Sequence, residues 1–165
     1  LSINLSAQTL KDIDFPDWLN ACLQHHEVRA DKICFELPET AVAANLGLAA
    51  DLLRALQAMG CRLALDDFGG GLSSYGSLKN LPADILKIDG AFIRDMGRNT
   101  ADRSVVKSVH DLAHLLGKLT VAKYVETDEA YRQARELGLD FAQGYHVERP
   151  YPLDELGLKR LAVPE

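Results

Sequence analysis

Charged side chains follow two short apolar segments of this chain at the point where each segment ends. Asp66 and Asp67 come directly after one segment, and Lys87 and Asp89 surround the end of the next. Adjacent carboxylates repel each other, so a fold seldom places them at the end of a buried strand without a counter-charge. Their oxygens suit Mg²⁺ or Mn²⁺. The pattern favours a metal site over the alternative, an aspartate helix cap beside a solvated neighbour.

The elements that must position these residues alternate along the chain between strand-like and helix-like segments. The predicted strands are Leu1–Leu5, Ile33–Glu36, Arg62–Leu65, Ile85–Ile88, Leu119–Ala122 and Phe141–Gly144. The helices predicted from apolar spacing are Phe15–His26, Leu46–Met59, Asp102–Leu116, Asp128–Leu137 and a short Leu153–Leu161. This alternation implies parallel strands joined by helical crossovers, which is an α/β fold.

The polar residues near the strand ends decide between two α/β architectures. They are Asn4, Glu36, Asp66, Asp67, Lys87, Lys123 and Gln143. In a TIM-type (β/α)₈ barrel these ends converge on one mouth, whereas the outer strands of an open sheet lie too far apart to share a site. A Gly-x-Gly-x-x-Gly fingerprint for a dinucleotide fold is absent from the sequence. We therefore predict a barrel whose N-terminal strand or strands are missing from this chain, which begins inside a strand at Leu1.

The composition narrows the class of protein. With 165 residues and 47% hydrophobic content, the chain fits one globular domain, which we predict to span residues 1–165. A net charge of −6 argues against a general DNA-binding or membrane-surface protein, and no apolar run approaches the ~18 residues of a membrane span. Cys22, Cys34 and Cys61 lack Cys-x-x-Cys spacing, which indicates reduced thiols and a cytoplasmic location.

Two histidines four residues apart form half of a zinc-like motif within the predicted helix at residues 102–116. They are His110 and His114, with Asp111 where zinc proteases carry glutamate. We place both histidines opposite the apolar face of that helix. The motif therefore predicts a solvent-exposed pair rather than a metal site.

The strand ends also carry a resemblance to a known family. The motifs Leu65-Asp66-Asp67-Phe68-Gly69, Leu72-Ser73-Ser74, Leu78-Lys79, Leu81-Pro82 and Leu86-Lys87-Ile88-Asp89 are similar to the core of the EAL domain. Further matches are Asn4-Leu5-Ser6, Glu36-Leu37-Pro38-Glu39-Thr40, Gln143-Gly144-Tyr145 and Arg149-Pro150. That family comprises bacterial cyclic-di-GMP phosphodiesterases and their inactive relatives, and its fold is a TIM-type barrel. The resemblance thus implies a TIM-type barrel, which is the architecture that the strand-end residues also predict.

The resemblance implies a role for each matched residue. The metal ligands, for Mg²⁺ or Mn²⁺, would be Asn4, Glu36, Asp66 and Asp67. The residues serving catalysis would be Lys87, which positions or activates the attacking water, and Glu39, which steadies the loop after Asp-Asp-Phe-Gly. The residues near the nucleotide would be Gln143, Tyr145 and Arg149. In an active member, two ions ~4 Å apart hold a phosphodiester and acidify a bridging water, which yields the linear dinucleotide.

Two departures from the family pattern bear on activity. The sequence contains no Glu-Ala-Leu triplet. In addition, Val121-Ala122-Lys123-Tyr124-Val125-Glu126-Thr127 resembles the family's Val-Ala-Glu-Gly-Val-Glu-Thr, with Lys123 in place of a site glutamate. An ammonium group has no lone pair to offer a metal ion and repels it. We expect Lys123 to pair with Asp66, Asp67 or Glu36 instead.

Two functions follow as hypotheses. The first is a catalytically impaired EAL domain that binds cyclic-di-GMP or regulates an attached domain. The alternative is an active Mg²⁺- or Mn²⁺-dependent phosphodiesterase acting on cyclic-di-GMP. The motifs Phe-Glu-Leu-Pro-Glu-Thr and Lys-Ile-Asp-Gly are similar to those of EAL domains that follow a GGDEF cyclase domain. The resemblance therefore implies signal transduction with an attached GGDEF or sensory domain, and it allows a homodimer. We expect neither DNA binding nor membrane insertion.

Overall fold

Six parallel strands form one sheet in the computed structural model, which describes residues 1–70 and 78–152. The strands are β1 Ser2–Asn4, β2 Cys34–Pro38, β3 Arg62–Phe68, β4 Ile85–Ile88, β5 Leu119–Ala122 and β6 Phe141–Ala142. Each pairs with its neighbours in sequence, from β1 at one edge to β6 at the other. This sequential order is that of a barrel, because the strand order of a doubly wound sheet reverses at a switch point. The predicted barrel-type architecture is confirmed as a parallel half-barrel.

Helices connect successive strands in the described ranges. They are α1 Phe15–His25, α2 Glu39–Ala44, α3 Leu46–Ala58, α4 Gly90–Asp95, α5 Thr100–Leu115 and α6 Asp128–Glu136. Single 3₁₀ turns occur at Thr9–Lys11 and Ala30–Lys32. Within these described residues, every helix falls short of the length and apolar character needed to cross a membrane. The predicted helix Leu153–Leu161 and the motif Leu72-Ser73-Ser74 lie outside the described residues.

Side-chain hydrogen bonds fix where several helices begin. The carboxylate of Asp89 accepts a hydrogen bond from the backbone N–H of Ala91 at the start of α4. Asn99 caps α5 through Ala101 in the same way. Such caps satisfy backbone donors that a helix leaves unpaired at its N-terminus. Asp89, which follows β4, therefore serves as the N-cap of α4.

The sheet is buried on both faces at its centre. Leu63, Leu65, Leu86 and Ile88 of β3 and β4 are at most 2% exposed. Helices cover a parallel sheet on its outer face, so its central strands are apolar along their whole length rather than in alternation. The charged residues that follow these strands are consequently held by a rigid, well-packed support.

The structure corrects the expected orientation of α5. Its buried residues are Val106, Val109, His110 and Ala113. His110 is only 6% exposed, so the prediction that both histidines face solvent is wrong for His110. A polar group this deeply buried needs hydrogen-bond partners. His110 finds one in the hydroxyl of Thr120 on β5.

Candidate functional site

A cleft of about 350 Å³ opens at the carboxyl ends of the strands. The side chains and backbone that line it belong to Asn4, Glu36, Asp66, Lys87, Lys123, Tyr124, Glu126, Gln143, Gly144 and Tyr145. Parallel strands all end at the same side of the sheet, which is why residues at the ends of all six strands meet here. The predicted convergence of Asn4, Glu36, Asp66, Lys87 and Gln143 on one mouth is confirmed.

Three predicted site residues lie beside the cleft rather than in its wall. Asp67 lies in a neighbouring pocket that also contains Gly70 and Asp89. Arg149 is exposed, and its guanidinium carbon lies 5.1 Å from the ring centroid of Tyr145. Glu39, at the start of α2, is the third and is buried.

Glu39 holds the chain that leaves β3. Its Oε2 accepts a hydrogen bond of 3.1 Å from the backbone N–H of Gly69. Gly69 has a φ of +97°, a backbone conformation that favours glycine. This contact matches the loop-steadying position that the resemblance implied for Glu39, which supports a positioning role rather than direct contact with a ligand.

A buried ion pair joins β2 and β4 in the wall of the cleft. The Lys87 ammonium donates a short hydrogen bond to Glu36 Oε2, and both residues are 5% exposed. Lys87 Nζ also lies 3.9 Å from Asp66 Oδ1. The pair forms because β3 lies between β2 and β4 and all three strands end at the same level. A buried charge is tolerated when it is paired in this way.

The ammonium of Lys123 lies between the two adjacent aspartates. Its Nζ is 2.7 Å from Asp66 Oδ1 and 2.5 Å from Asp67 Oδ1. The contact to Asp67 has hydrogen-bond geometry, whereas Asp66 Oδ1 is buried without a hydrogen-bond donor in the described structure and contacts the ammonium as an ion pair. The expected pairing of Lys123 with these acids is confirmed.

The surroundings of Lys123 favour its charged form. Burial lowers the pKa of Lys123, but the contacts with Asp66 and Asp67 raise it by more. The net pKa therefore lies above the usual lysine value, and the group is an ammonium ion at neutral pH. A fixed positive charge consequently occupies the space between the two carboxylates.

The backbone of β3 turns both aspartates towards this charge. The pairing of β3 with β4 shifts register between Leu65 and Phe68, and Asp67 has a φ of +53°. In a regular strand, neighbouring side chains point to opposite faces. The irregularity allows Asp66 and Asp67 to contact the same ammonium nitrogen.

Tyr124 is a site residue for which the sequence analysis assigned no role. Its φ is +54°, a conformation that costs a residue with a Cβ about 1–2 kcal/mol. Its ring packs against Gly90, where an added Cβ would lie 2.0 Å from Tyr124 Cδ2, and Arg94 lies 4.3 Å from the ring centroid. The sequence offered one signal for this backbone conformation, namely the glycine that the family pattern has at the position of Tyr124. Glycine often marks a left-handed backbone. Glu126, which also lines the cleft, was likewise not predicted.

The oxygen donors around the cleft are of the type that Mg²⁺ and Mn²⁺ prefer, but their arrangement does not fit a two-metal centre. An ion shared by Asp66 and Asp67 would have to occupy the place of the Lys123 ammonium. Glu36 is already engaged by Lys87. The buried Asp66 Oδ1 accepts no hydrogen bond in the described structure, and such an oxygen suits a cation. The Lys123 ammonium already occupies that place.

Comparison with known proteins identifies relatives along nearly the whole chain. The EAL domain model matches residues 1–150. The chain is 38% identical over 153 residues to "Cyclic di-GMP phosphodiesterase PdeB" of Shewanella oneidensis, covering 93% of this chain and 18% of that protein. It is 40% identical over 152 residues to "Cyclic di-GMP phosphodiesterase PdeF" of Escherichia coli, covering 92% and 20%. The chain thus spans about a fifth of the length of these two relatives.

Solved structures share the fold. The PaMucR phosphodiesterase in its c-di-GMP complex superposes with a TM-score of 0.89 at 32% identity, covering 94% of this chain and 63% of that one. The manganese and cyclic-di-GMP complex of Klebsiella pneumoniae BlrP1 gives a TM-score of 0.82 at 32% identity, covering 88% and 37%. The family match over residues 1–150 and these structural likenesses establish that the chain belongs to the EAL domain family.

Proposed function

We propose that this EAL domain binds cyclic-di-GMP as a regulatory module and is impaired in metal-dependent hydrolysis. The observation that carries the proposal is the position of Lys123 Nζ, within 2.7 Å of Asp66 and 2.5 Å of Asp67. These carboxylates are the residues to which the family resemblance assigns the metal ions. A lysine that pairs with both of them competes directly with any metal for the same oxygen atoms.

The electrostatic penalty for a metal is large. One pair of unit charges at 4 Å interacts by about 4 kcal/mol at an effective dielectric constant of 20. Replacing an attractive glutamate by a repulsive ammonium therefore lowers metal affinity by several factors of ten, since about 1.4 kcal/mol corresponds to tenfold. A metal could enter only if Lys123 left the two aspartates, which would expose their mutual repulsion.

The same lysines support binding of an anionic ligand without metal. Glu36, Asp66 and Glu126 contribute three negative charges to the cleft wall, and Lys87 and Lys123 contribute two positive charges. The net charge of the cleft wall is therefore close to zero, although the whole chain has a net charge of −6. Its volume of about 350 Å³ is within the ~300–1,000 Å³ usual for small-molecule sites.

The nucleotide contacts that we propose lie on the β6 side of the cleft. Gln143 and Tyr145 line the wall there, and Arg149 stacks near Tyr145. Tyrosine rings and guanidinium groups stack well against planar bases and bind phosphates. The complex of the related PaMucR phosphodiesterase with c-di-GMP supports the choice of ligand.

The setting of the domain belongs to the same proposal. The chain corresponds to about a fifth of the length of its relatives PdeB and PdeF, so their activity refers to much longer proteins. We propose an attached GGDEF or sensory domain as the partner that this module controls. A cytoplasmic location and a homodimer remain predictions.

An active phosphodiesterase is the alternative function. It is favoured by the names of the relatives PdeB and PdeF and by the presence of Lys87 and Asn4 at the mouth. Mg²⁺ or Mn²⁺ would then be the cofactor, as manganese accompanies the ligand in the BlrP1 complex. This function requires that Lys123 move away from Asp66 and Asp67.

Calorimetric titration with cyclic-di-GMP, in chelator and then in Mn²⁺, tests the proposal. We expect an affinity that is independent of the metal, with no linear dinucleotide detected by chromatography after long incubation. Gln143→Ala should weaken binding, and the exposed Gln24→Ala should leave it unchanged as a matched control. Metal-dependent formation of the linear dinucleotide by the full-length protein would establish the alternative, and absence of ligand binding in both buffers would reject both.

A further inference from the structure

A second group of polar side chains lies at the opposite end of the sheet from the cleft. His110 and His114 lie on α5, and Asp140 immediately precedes β6. Their contact residue Thr120 is the second residue of β5, whereas Lys123 directly follows the end of that strand. Three residues of strand span about 10 Å, so this group is separate from the candidate cyclic-di-GMP site.

Hydrogen bonds within this group fix the orientation of His110. Asp140 Oδ2 accepts hydrogen bonds of 2.8 Å from both the backbone N–H and the hydroxyl of Thr120. A hydroxyl has a single proton to donate, so Thr120 Oγ1 accepts the 2.9 Å hydrogen bond from His110 Nδ1. His110 therefore carries its proton on Nδ1 and a free lone pair on Nε2.

Gly138 lies beside that lone pair without a side chain. Its φ is +85°, as expected for a glycine that follows the end of α6, and a Cβ added there would lie 3.5 Å from His110 Nε2. Within the part of the chain that the structure describes, His110 makes its hydrogen bond through Nδ1. An oriented imidazole nitrogen with an open lone pair is the usual form of a metal ligand.

His114 and Asp140 complete a cluster of three ligand atoms. His114 Nε2 lies 2.9 Å from Asp140 Oδ2, and the two imidazole rings have centroids 4.1 Å apart. One ligand atom from each of His110, His114 and Asp140 lies within 4.8 Å of the other two. Two histidines at i and i+4 on one helix share a face, which is the geometry of helical zinc motifs.

We propose that His110, His114 and Asp140 bind one divalent transition-metal ion of the Zn²⁺ class, with water completing the coordination. Two imidazoles and one carboxylate suit Zn²⁺, whereas Mg²⁺ prefers oxygen ligands alone. Ligand atoms around tetrahedral zinc are about 3.3 Å apart for bonds of ~2.0 Å. His114 Nε2 and Asp140 Oδ2 are already 2.9 Å apart, and any separation near the 4.8 Å limit must shorten by up to about 1.5 Å. His114 is half-exposed and free to make that movement.

Thr120 and the shared proton complete the chemistry of binding. The hydrogen bond from His110 Nδ1 to Thr120, and those from Thr120 to Asp140, are of the kind that orient metal ligands from behind. On binding, the proton between His114 Nε2 and Asp140 Oδ2 leaves for solvent and the exposed ring holds one proton on Nδ1, so that Nε2 offers its lone pair to the metal. No ligand has to be contributed by another residue.

The test is calorimetric titration of the chelator-treated protein with Zn²⁺. We expect one site, and we expect His114→Ala to weaken binding by about 10-fold or more. His114 is exposed, so its removal leaves the buried partners of His110 in place. His25→Ala is the matched control, because His25 is an exposed histidine that also lies beside a second one, His26, and it should bind Zn²⁺ as the unaltered protein does.

Cobalt provides a second readout that a purely structural role would not alter. Co²⁺ bound by His110, His114 and Asp140 should give the strong visible absorption of four-coordinate cobalt, and His114→Ala should abolish it. Equal Zn²⁺ affinity of the unaltered protein and His114→Ala, or a Co²⁺ spectrum that the substitution leaves unchanged, would overturn the proposal. Cyclic-di-GMP binding is expected to be unaffected by His114→Ala, so the two proposals fail separately.

Discussion

Lys123 Nζ lies 2.5 Å from Oδ1 of Asp67, although the two residues are 56 positions apart in the chain. The contact crosses β4, because Asp67 is in β3 and Lys123 follows β5. Its consequence is that a side-chain ammonium balances the adjacent aspartates of this EAL domain.

The buried pair of Lys87 and Glu36 should matter strongly for stability. Glu36→Ala leaves the Lys87 ammonium without its main partner, and removal of one member of a buried pair costs about 3–5 kcal/mol in free energy of unfolding. Urea denaturation followed by circular dichroism measures this change. Arg54→Ala, which breaks an exposed pair with Asp51, is the matched control and should cost about 0–1 kcal/mol.

A double substitution distinguishes the cost of leaving the Lys87 charge buried without a partner from the cost of lost side-chain packing. Combining Glu36→Leu with Lys87→Met removes both buried charges, so stability should recover most of the loss seen in Glu36→Ala. If Glu36→Ala costs no more than Arg54→Ala, the ion pair does not have the structural importance that its burial implies.

Gly90 should be intolerant of any side chain because of Tyr124. A Cβ at Gly90 would lie 2.0 Å from the Tyr124 ring, so Gly90→Ala should destabilise the protein by about 1–3 kcal/mol. Gly47→Ala is the matched control, since the space around Gly47 in α3 is open within 4 Å and alanine favours helices. Thermal unfolding of both variants measures the difference.

The same pair can be tested for rescue. In a Tyr124→Gly background the ring is absent and the left-handed φ of +54° is unstrained, so Gly90→Ala should lose most of its cost. Unchanged destabilisation in that background would show that the clash with Tyr124 is not the cause.

Glu39 should hold the backbone of Gly69, directly after β3, in place. Glu39→Ala removes the acceptor for the partly buried Gly69 N–H, and an unsatisfied buried donor costs at most about 1–3 kcal/mol. Hydrogen exchange at Gly69, measured by NMR, should accelerate in Glu39→Ala. Glu39→Gln keeps an acceptor oxygen and should retain most of the protection, whereas equal exchange in both variants would contradict the positioning role.

The convergence of the strand-end residues could be predicted from sequence because parallel topology brings carboxyl ends together whatever the loops do. Ile85–Ile88 and Leu119–Ala122 coincide with β4 and β5, as apolar runs bounded by charge or glycine. The short helices α2 and α4 were missed, because six residues are too few to show an apolar period.

The burial of His110 and the role of Tyr124 depend on contacts that the sequence does not display. The ring of His110 hydrogen-bonds to Thr120, and Thr120 in turn hydrogen-bonds to Asp140, which lies 30 residues after His110 in the chain. Because these partners are distant in sequence, the histidine itself gives no sign that it is buried. Tyr124 adopts its backbone conformation against Gly90 and Arg94, and a tyrosine is not a residue that predicts a positive φ. In both residues, contacts with distant parts of the chain outweigh the exposure or backbone conformation that the residue type alone would favour.

The most direct measurement of the central claim is calorimetric titration of the unaltered protein and of Lys123→Glu with Mg²⁺. Lys32→Glu changes the same charge at an exposed position and is the matched control. We predict weak or undetectable Mg²⁺ binding by the unaltered protein and by Lys32→Glu, and an affinity higher by several factors of ten, roughly 100-fold at the least, for Lys123→Glu. Tight binding of two Mg²⁺ ions by the unaltered protein, with Lys123 turned away from Asp66 and Asp67, would contradict the account.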